Sequence, residues 1–238
     1  MLPERFVNAC PATGRFRNIV ALGALAVLHA CTPHAQPLIG TATHAALPSV
    51  QMPVGNRQMN FTWKYKDDTF EANGDGVVRA TFPDHARLDF FLKGGLGGGM
   101  AILVGDSLII PGIELVRRFL PPVPLLWATL GRLAVPATAD TVARLDGDTL
   151  RADLGVLHGA DAAKAGGRAW RIALVARNLA RVDRIENGKV VEWISRAVTP
   201  DGKGELRYVN ESGRRSLSIS VTDTRTVEAF DDAIWRRP

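Results

Sequence analysis

Residues 113–133 read IELVRRFLPPVPLLWATLGRL, and the spacing of apolar residues in the chain changes at this stretch. Apolar residues three and four apart in 113–120 would share one face of a helix, with Glu114, Arg117 and Arg118 opposite. Pro121 and Pro122 cannot continue that helix, because proline lacks a backbone N–H and its ring clashes with the preceding turn. The stretch therefore predicts two short helices, over 113–120 and over about 124–133.

The second predicted helix is apolar on most of its sides. Its large side chains are Leu125, Leu126, Trp127, Leu130 and Leu133. A helix without a polar face has to be buried, and the concave face of a β-sheet is the obvious partner.

Strand patterns precede these helices. Met59, Phe61, Trp63 and Tyr65 alternate with polar residues, which predicts a strand with one buried face. Asp67 and Asp68 predict a turn, Asn73–Gly76 predicts another, and strands over 77–82 and 87–92 follow. A hairpin is predicted over 100–110.

Strand patterns return from about residue 140. Turns are predicted at 146–148 and at Asn187–Gly188, a dipeptide typical of tight hairpins. The last strands are predicted over 205–209 and 217–221, and Phe230, Ile234 and Trp235 form an apolar ending. The chain thus reads as strands, two helices, then strands, which predicts a mainly β (α+β) fold.

The stretch KGGLGGG at 93–99 is the most conspicuous run of low complexity. It lacks the Lys-Ser/Thr ending of a phosphate-binding loop and the spacing of a dinucleotide-binding motif. We interpret it as a bent, flexible connection between strands.

The amino terminus has the order of a secretory signal peptide. Arg5, Arg15 and Arg17 precede the 10-residue apolar run 19–28, which is too short to cross a bilayer as a helix. The following LHAC, residues 28–31, resembles the bacterial lipobox. That resemblance implies that Cys31 receives diacylglycerol and fatty acids such as palmitate; the alternatives are an ordinary signal peptide and a short buried helix.

These features divide the chain into three parts. Residues 1–30 are predicted to be a lipoprotein signal peptide, and 57–238 a folded domain. Residues 31–56, which contain four prolines, are predicted to be the lipidated terminus and a tether.

Composition argues against several classes of function. Removing 1–30 takes away three arginines and one glutamate, which lowers the formal charge from +5 to +3, and no basic block indicates nucleic-acid binding. Cys31 would be the single cysteine left, so no internal disulfide can form. The histidines lack metal-ligand spacing, and no nucleophile motif appears. We therefore predict no metal, no cofactor and no enzymatic activity.

Four phrases carry a resemblance to a known family: PDHARLDFF, LVGDSLIIP, PLLWATLG and FDDAIW. With the strand–helix–strand order on a lipidated chain, residues 57–238 resemble the LolA/LolB-like lipoprotein carriers and uncharacterised LolB-like lipoproteins. The resemblance implies an open antiparallel β-barrel of about 10–11 strands with a helical lid at about 113–133. It also implies binding of lipids or acylated lipoproteins, and their transfer to the outer membrane.

The site expected from this resemblance is an apolar cavity under the lid. The candidate lining residues are Phe61, Trp63, Leu88, Phe90, Ile109, Leu126, Trp127, Leu130, Trp170, Ile172, Leu174 and Trp193, each of which could equally be ordinary core. In the classical receptor an apolar loop residue delivers the cargo, and Leu96 is the candidate here.

Location and partners follow from the same reasoning. Thr32, in place of an Asp after Cys31, favours the outer membrane by analogy with the family, with the domain facing the periplasm. The expected partners are the membrane, a lipid or lipoprotein cargo, and other envelope proteins. The alternative is a structural or assembly lipoprotein that uses its outer surface and has a filled barrel.

Overall fold

The computed structural model describes residues 34–44, 47, 54–95, 97–112, 114–135, 140–155 and 167–236 of the 238-residue chain. The strands are β1 (Thr41–Thr43), β2 (Gly55–Lys66), β3 (Glu71–Phe82), β4 (His85–Leu92), β5 (Gly98–Val104), β6 (Ser107–Ile109), β7 (Val142–Asp146), β8 (Thr149–Leu154), β9 (Arg168–Val175), β10 (Asn178–Glu186), β11 (Lys189–Val198), β12 (Gly204–Asn210) and β13 (Arg215–Val227). The helices are α1 (Glu114–Phe119), α2 (Val123–Leu130) and a terminal 3₁₀ turn, Asp232–Trp235.

The described strands form one antiparallel sheet of 13 strands, in the order β1-β7-β8-β9-β10-β11-β12-β13-β2-β3-β4-β5-β6. Two meanders, one on each side of the helices in sequence, meet where β13 pairs with β2. The edge strands β1 and β6 have three residues each and do not pair with each other. The predicted mainly β fold with an open antiparallel sheet and helices inserted mid-chain is confirmed.

The predicted alternation on β2 places its apolar side chains inside the curved sheet. Phe61, Trp63 and Tyr65 are buried, whereas the intervening Thr62 and Lys64 are exposed. Phe61 lies opposite Val221 of β13, so apolar residues of the two meanders meet on one face. This side-by-side burial joins the two halves into one hydrophobic core.

The turn predicted at Asn73–Gly76 is wrong, because these residues lie within the continuous strand β3. A Cβ atom on Gly74 would stand 1.8 Å from the carbonyl oxygen of Phe91. On Gly76 it would stand 2.2 Å from the ring of Phe61. The glycines therefore allow close approach of the neighbouring strand and of a core ring, as glycine in a strand often does.

The two helices are shorter than predicted but lie where the prolines place them. Pro124 occupies the first turn of α2, and Gly131 ends the helix with φ 95°, a left-handed conformation that glycine adopts readily. Gly131 N–H donates to the Ala128 carbonyl at 3.0 Å, and Arg132 N–H donates to that of Trp127 at 3.0 Å. The helix end is thereby satisfied without a side-chain cap.

Part of the predicted tether, residues 31–56, contacts the sheet. Thr41–Thr43 form β1 against β7, and Ala35 N–H donates to the Gly188 carbonyl at 2.9 Å. Leu47 packs on the main core. Residues before β2 therefore contact the sheet at two places, the edge at β7 and the β10–β11 turn.

Candidate functional site

One part of the hollow inside the sheet is filled by aromatic side chains. Phe119 of α1 stacks on Trp63 with ring centroids 5.2 Å apart, and it meets Phe90 edge-on at 5.2 Å and Tyr65 at 5.4 Å. Each of these four residues is at most 2% exposed. Here α1 packs directly on the sheet as part of the core.

The second helix is fixed to the sheet through its tryptophan. Trp127 is fully buried, and its Nε1–H donates to the carbonyl oxygen of Gly105, in the β5–β6 turn, at 2.8 Å. The guanidinium of Arg132 lies 4.7 Å from the Trp127 ring centroid, within cation–π range. This half of α2 is also core.

Beyond the carboxyl end of α2 the hollow is open and forms a cavity of about 690 Å³. This volume lies within the range of about 300–1,000 Å³ that is typical of small-molecule sites. Its large apolar lining residues are Met59, Phe61, Val78, Leu88, Leu130, Val175, Leu179, Val198, Leu206, Ile219 and Val221. Apart from Leu130 of α2, these residues come from both meanders. The cavity therefore lies where the two halves of the sheet face each other.

Hairpin turns form part of the rim of the cavity. In the β9–β10 turn, Ala176 and Arg177 have φ of 46° and 68°, the left-handed pair that suits a tight hairpin. In the β11–β12 turn, the Thr199 hydroxyl hydrogen-bonds the Asp201 carboxylate at 2.5 Å and lowers its pKa. Backbone conformation thus defines the β9–β10 turn, and a side-chain hydrogen bond helps to define the β11–β12 turn.

Two arginines supply the charged part of the lining, and no acidic residue is among the described lining residues. Arg196 of β11 donates from Nε to the carbonyl oxygen of Thr129, near the end of α2, at 3.1 Å. Burial lowers the pKa of Arg196 to about 10, so it stays protonated at neutral pH. Arg57 enters the lining from the start of β2.

A buried polar cluster lies further along the same inward faces of β10–β12. The Glu192 carboxylate, 2% exposed, accepts from Arg184 Nε at 2.8 Å and from the Tyr208 hydroxyl at 2.8 Å. Asn210 Nδ2 also donates to it, and Arg215 lies 3.9 Å away. Burial, then the charge of Glu192, raises the pKa of Tyr208. The Glu192 carboxylate is thus satisfied within the cluster, whereas the buried Arg215 Nε has no hydrogen-bond partner among the described residues.

The structure distributes the predicted lining residues over three environments. Phe61, Leu88 and Leu130 line the cavity. Core positions are taken by Trp63, Phe90, Leu126, Trp127, Ile172 and Leu174. Ile109 is half-buried on β6, and Trp170 is half-buried against the core. Trp193 lies on the opposite side of β11 from buried Ile194, between Arg181 and Arg207.

The cavity therefore lies beyond the end of α2, and not under both helices as expected from the sequence. Most of the residues that form its wall, including the inward residues of β12 and β13, were not among the predicted lining residues. Arg57 and Arg196 were missed as well. The signal was present for Arg196, which shares the inward parity of Ile194 and Val198 on β11.

Several predicted features fall outside the described residues: the signal peptide, Cys31 and Leu96. Within the described ranges, no group of three His, Cys, Asp or Glu side chains is placed to hold a metal ion. Nor does any helix in those ranges have the length and apolarity to span a membrane.

No protein-family model and no curated protein matches this sequence. Solved structures with a similar fold include a LolA-superfamily protein from Nitrosomonas europaea, at 13% identity and TM-score 0.49, which covers 79% of this chain and 93% of that one. A domain named for outer membrane lipoprotein sorting, from Vibrio parahaemolyticus, has 7% identity and TM-score 0.45 over 76% and 89%. A DUF1329 family protein from Desulfovibrio piger has 7% identity and TM-score 0.37 over 80% and 91%.

Proposed function

We propose that this protein is a bacterial lipoprotein, anchored to the outer membrane through Cys31 and facing the periplasm, whose cavity binds acyl chains of lipids or lipoproteins. Transfer of that cargo to the outer membrane is the proposed activity. Binding rather than catalysis is the function that the cavity's lining fits.

The apolar cavity carries this proposal. Each methylene moved from water into an apolar site contributes about 0.8 kcal/mol. Acyl chains therefore gain more from this wall than small polar molecules do, because eleven large apolar side chains line it. Leu130 places the end of α2 in the wall, so displacement of that helix would alter the cavity directly.

The test is mass spectrometry of lipids extracted from the protein carrying Cys31→Ser, which prevents lipidation. We expect phospholipid or free acyl chains in a stoichiometric amount. In a second preparation, Val221→Trp fills the cavity from β13, where Val221 is 8% exposed and lines the wall. We expect this variant to lose the lipid.

Ser220→Trp is the matched control. Ser220 is the adjacent residue on β13 and is absent from the cavity lining. Because successive strand residues point to opposite faces, its indole would lie outside the sheet. A lipid-free wild-type protein, or equal lipid in both tryptophan variants, would contradict the proposal.

Lipidation at Cys31 needs its own measurement. The mature protein should carry an acylated amino-terminal cysteine and sediment with outer-membrane vesicles. Cys31→Ser should abolish both. A mature protein that starts at another residue would contradict the anchor but would leave the binding function standing.

A second candidate is the assembly lipoprotein that binds another envelope protein on its outer surface. The edge strand β1 and its neighbour β7 favour it, because Ile39, Val142 and Leu145 on or next to these strands are 66%, 54% and 46% exposed. An exposed sheet edge with apolar side chains nearby is a common place for a protein contact. The ligand-free outcome of the extraction would favour this candidate.

A further inference from the structure

The partly buried arginines of the sheet have two kinds of surroundings. Arg171 pairs with Asp153 at 2.6 Å, and Arg184 pairs with Glu192 at 2.8 Å. In the other meander, Arg79 and Arg87 share one carboxylate, that of Asp89, at 2.6 and 2.9 Å. Each of these cations has an anion supplied by the sheet.

Arg196 has no carboxylate partner among the described residues. Its one hydrogen bond runs from Nε to the Thr129 carbonyl, and it leaves both terminal nitrogens without an acceptor in the described part of the chain. Its partner across the β11–β12 pair is Leu206, which lines the cavity, as does Ala180 of β10. A guanidinium is thus held by backbone at an apolar wall.

A cation in this position favours an anionic ligand. Arg196 is partly buried without a counter-charge, which costs free energy, and its lowered pKa reflects the same desolvation. An arginine fork binds carboxylate and phosphate with two parallel hydrogen bonds, which makes these anions its best partners.

Arg57 adds a second positive charge to the same lining. It lies on β2 two residues before Met59, on the inward side, and forms no ion pair with any described residue. Because no Asp or Glu is among the described lining residues, nothing there cancels the two charges. The remaining wall is largely apolar.

We infer that the ligand of this cavity is an anionic amphiphile, whose carboxylate or phosphate is bound by Arg196, with Arg57 as a second cation, and whose acyl chain lies along the apolar wall. The inference rests on the proposed binding function and makes it more specific. It distinguishes fatty acids and acidic phospholipids from uncharged amphiphiles such as long-chain alcohols and diacylglycerols.

The experiment compares three probes, each with a saturated chain of twelve carbons: laurate, dodecyl phosphate and dodecanol. Each displaces the neutral dye Nile red from the full chain carrying Cys31→Ser, after copurifying lipid has been removed. We expect at least one anion to bind about tenfold or more tightly than dodecanol, the size expected for a hydrogen bond to a charged group. Preference for laurate over the phosphate would identify a carboxylate ligand, and the reverse a phosphate headgroup.

Arg196→Met keeps an unbranched side chain and removes the charge, and we expect it to abolish the preference for anions. Arg196→Lys keeps the charge without the planar fork and should retain part of the preference. The matched control is Arg225→Met, which removes one exposed arginine beside the lining residue Thr224 and should keep the full preference. Circular dichroism checks that each variant is folded.

Equal affinity of the wild-type protein for dodecanol and both anions would overturn the inference, and this outcome does not depend on how any variant folds. Retention of the preference in folded Arg196→Met would overturn the role of that residue. If none of the three probes displaces the dye, the proposed binding function itself fails. The two failures are therefore distinguishable.

Discussion

Replacing Phe119 by alanine tests whether α1 is fixed core or a movable lid. The ring is 1% exposed and contacts three aromatic side chains at centroid distances of 5.2 to 5.4 Å. Removal of a phenylalanine ring from such a site costs about 3–5 kcal/mol, because the lost burial adds to the cavity left behind. We expect Phe119→Ala to lose that much unfolding free energy.

Urea unfolding, followed by tryptophan fluorescence, measures this loss. With a slope of about 2 kcal/mol per molar urea, the midpoint should fall by about 1.5–2.5 M. Phe91→Ala is the matched control, because Phe91 lies on the outer side of β4 and is 52% exposed. Its loss should be under about 1 kcal/mol, as for most exposed positions.

The result that would refute the reasoning is a midpoint for Phe119→Ala no lower than that for Phe91→Ala. In that case α1 would contribute little to the folded state, and the aromatic stack would not describe its resting position. A large shift, in contrast, means that α1 rests packed in the core of the folded protein.

Three further predictions concern stability. Trp127→Phe removes the indole bond to Gly105 and should cost about 1–3 kcal/mol in urea unfolding. Glu192→Leu leaves the Tyr208 hydroxyl and the Asn210 amide without their buried acceptor and should cost about 3–5 kcal/mol by the same assay. Hydrogen bonds from Arg118 and then Tyr65 hold the pKa of the Asp67 carboxyl below its ordinary 3.8. The stability that Asp67 provides is therefore complete above that value and is lost as the pH falls below it, so Asp67→Asn should flatten the decline of unfolding free energy in acid.

The predictions for Glu192 and Asp67 each have a control variant, and the prediction for Trp127 has an outcome that would contradict it. Glu192→Gln removes the charge but keeps an acceptor oxygen for Tyr208 and Asn210, and it should lose less than Glu192→Leu; equal losses would show that these neutral hydrogen bonds contribute nothing. Asp68→Asn alters the adjacent residue, which is 64% exposed, and should leave the acid limb of the curve unchanged. Unaltered stability of Trp127→Phe would mean that the indole bond does not hold α2.

The fold was predictable wherever side-chain period and turn chemistry agreed. On β2, alternation of large apolar and polar residues gave the correct inward face, and the Pro121–Pro122 pair gave the break between helices. The hairpin at Asn187–Gly188 is confirmed as well, with φ of 51° and 75°. In these places a local physical preference and the tertiary structure require the same conformation.

Glycine misled the prediction where its reason is tertiary. Asn73–Gly76 has the composition of a turn, but its glycines make room for Phe61 and for the backbone of β4. The stretch at 93–99 behaves similarly at its end, because Gly98 and Gly99 begin β5. A Cβ on Gly99 would stand 2.2 Å from Val116 of α1. Sequence alone cannot show which residue will approach.

The site was harder to predict than the fold, because periodicity gives the direction of a side chain and not what lies opposite. Trp63 and Leu206 both point into the hollow, yet Trp63 meets Phe119 and Leu206 meets open space. The difference depends on where the two helices end. The end of α1 is about sixty residues from Trp63 in sequence, and the end of α2 is about seventy-five residues from Leu206. Arg57 and Arg196 were harder still to predict, because charged side chains are rare on a buried face.

The lining of the cavity indicates what would occupy it when the protein functions. The hollow is open, so water can fill its volume of about 690 Å³ when no ligand is bound. Water gains little from eleven large apolar side chains and leaves Arg196 without an anion. An acyl chain with a negatively charged end satisfies both parts of the lining at once, and it would stabilise the fold in proportion to the logarithm of its concentration.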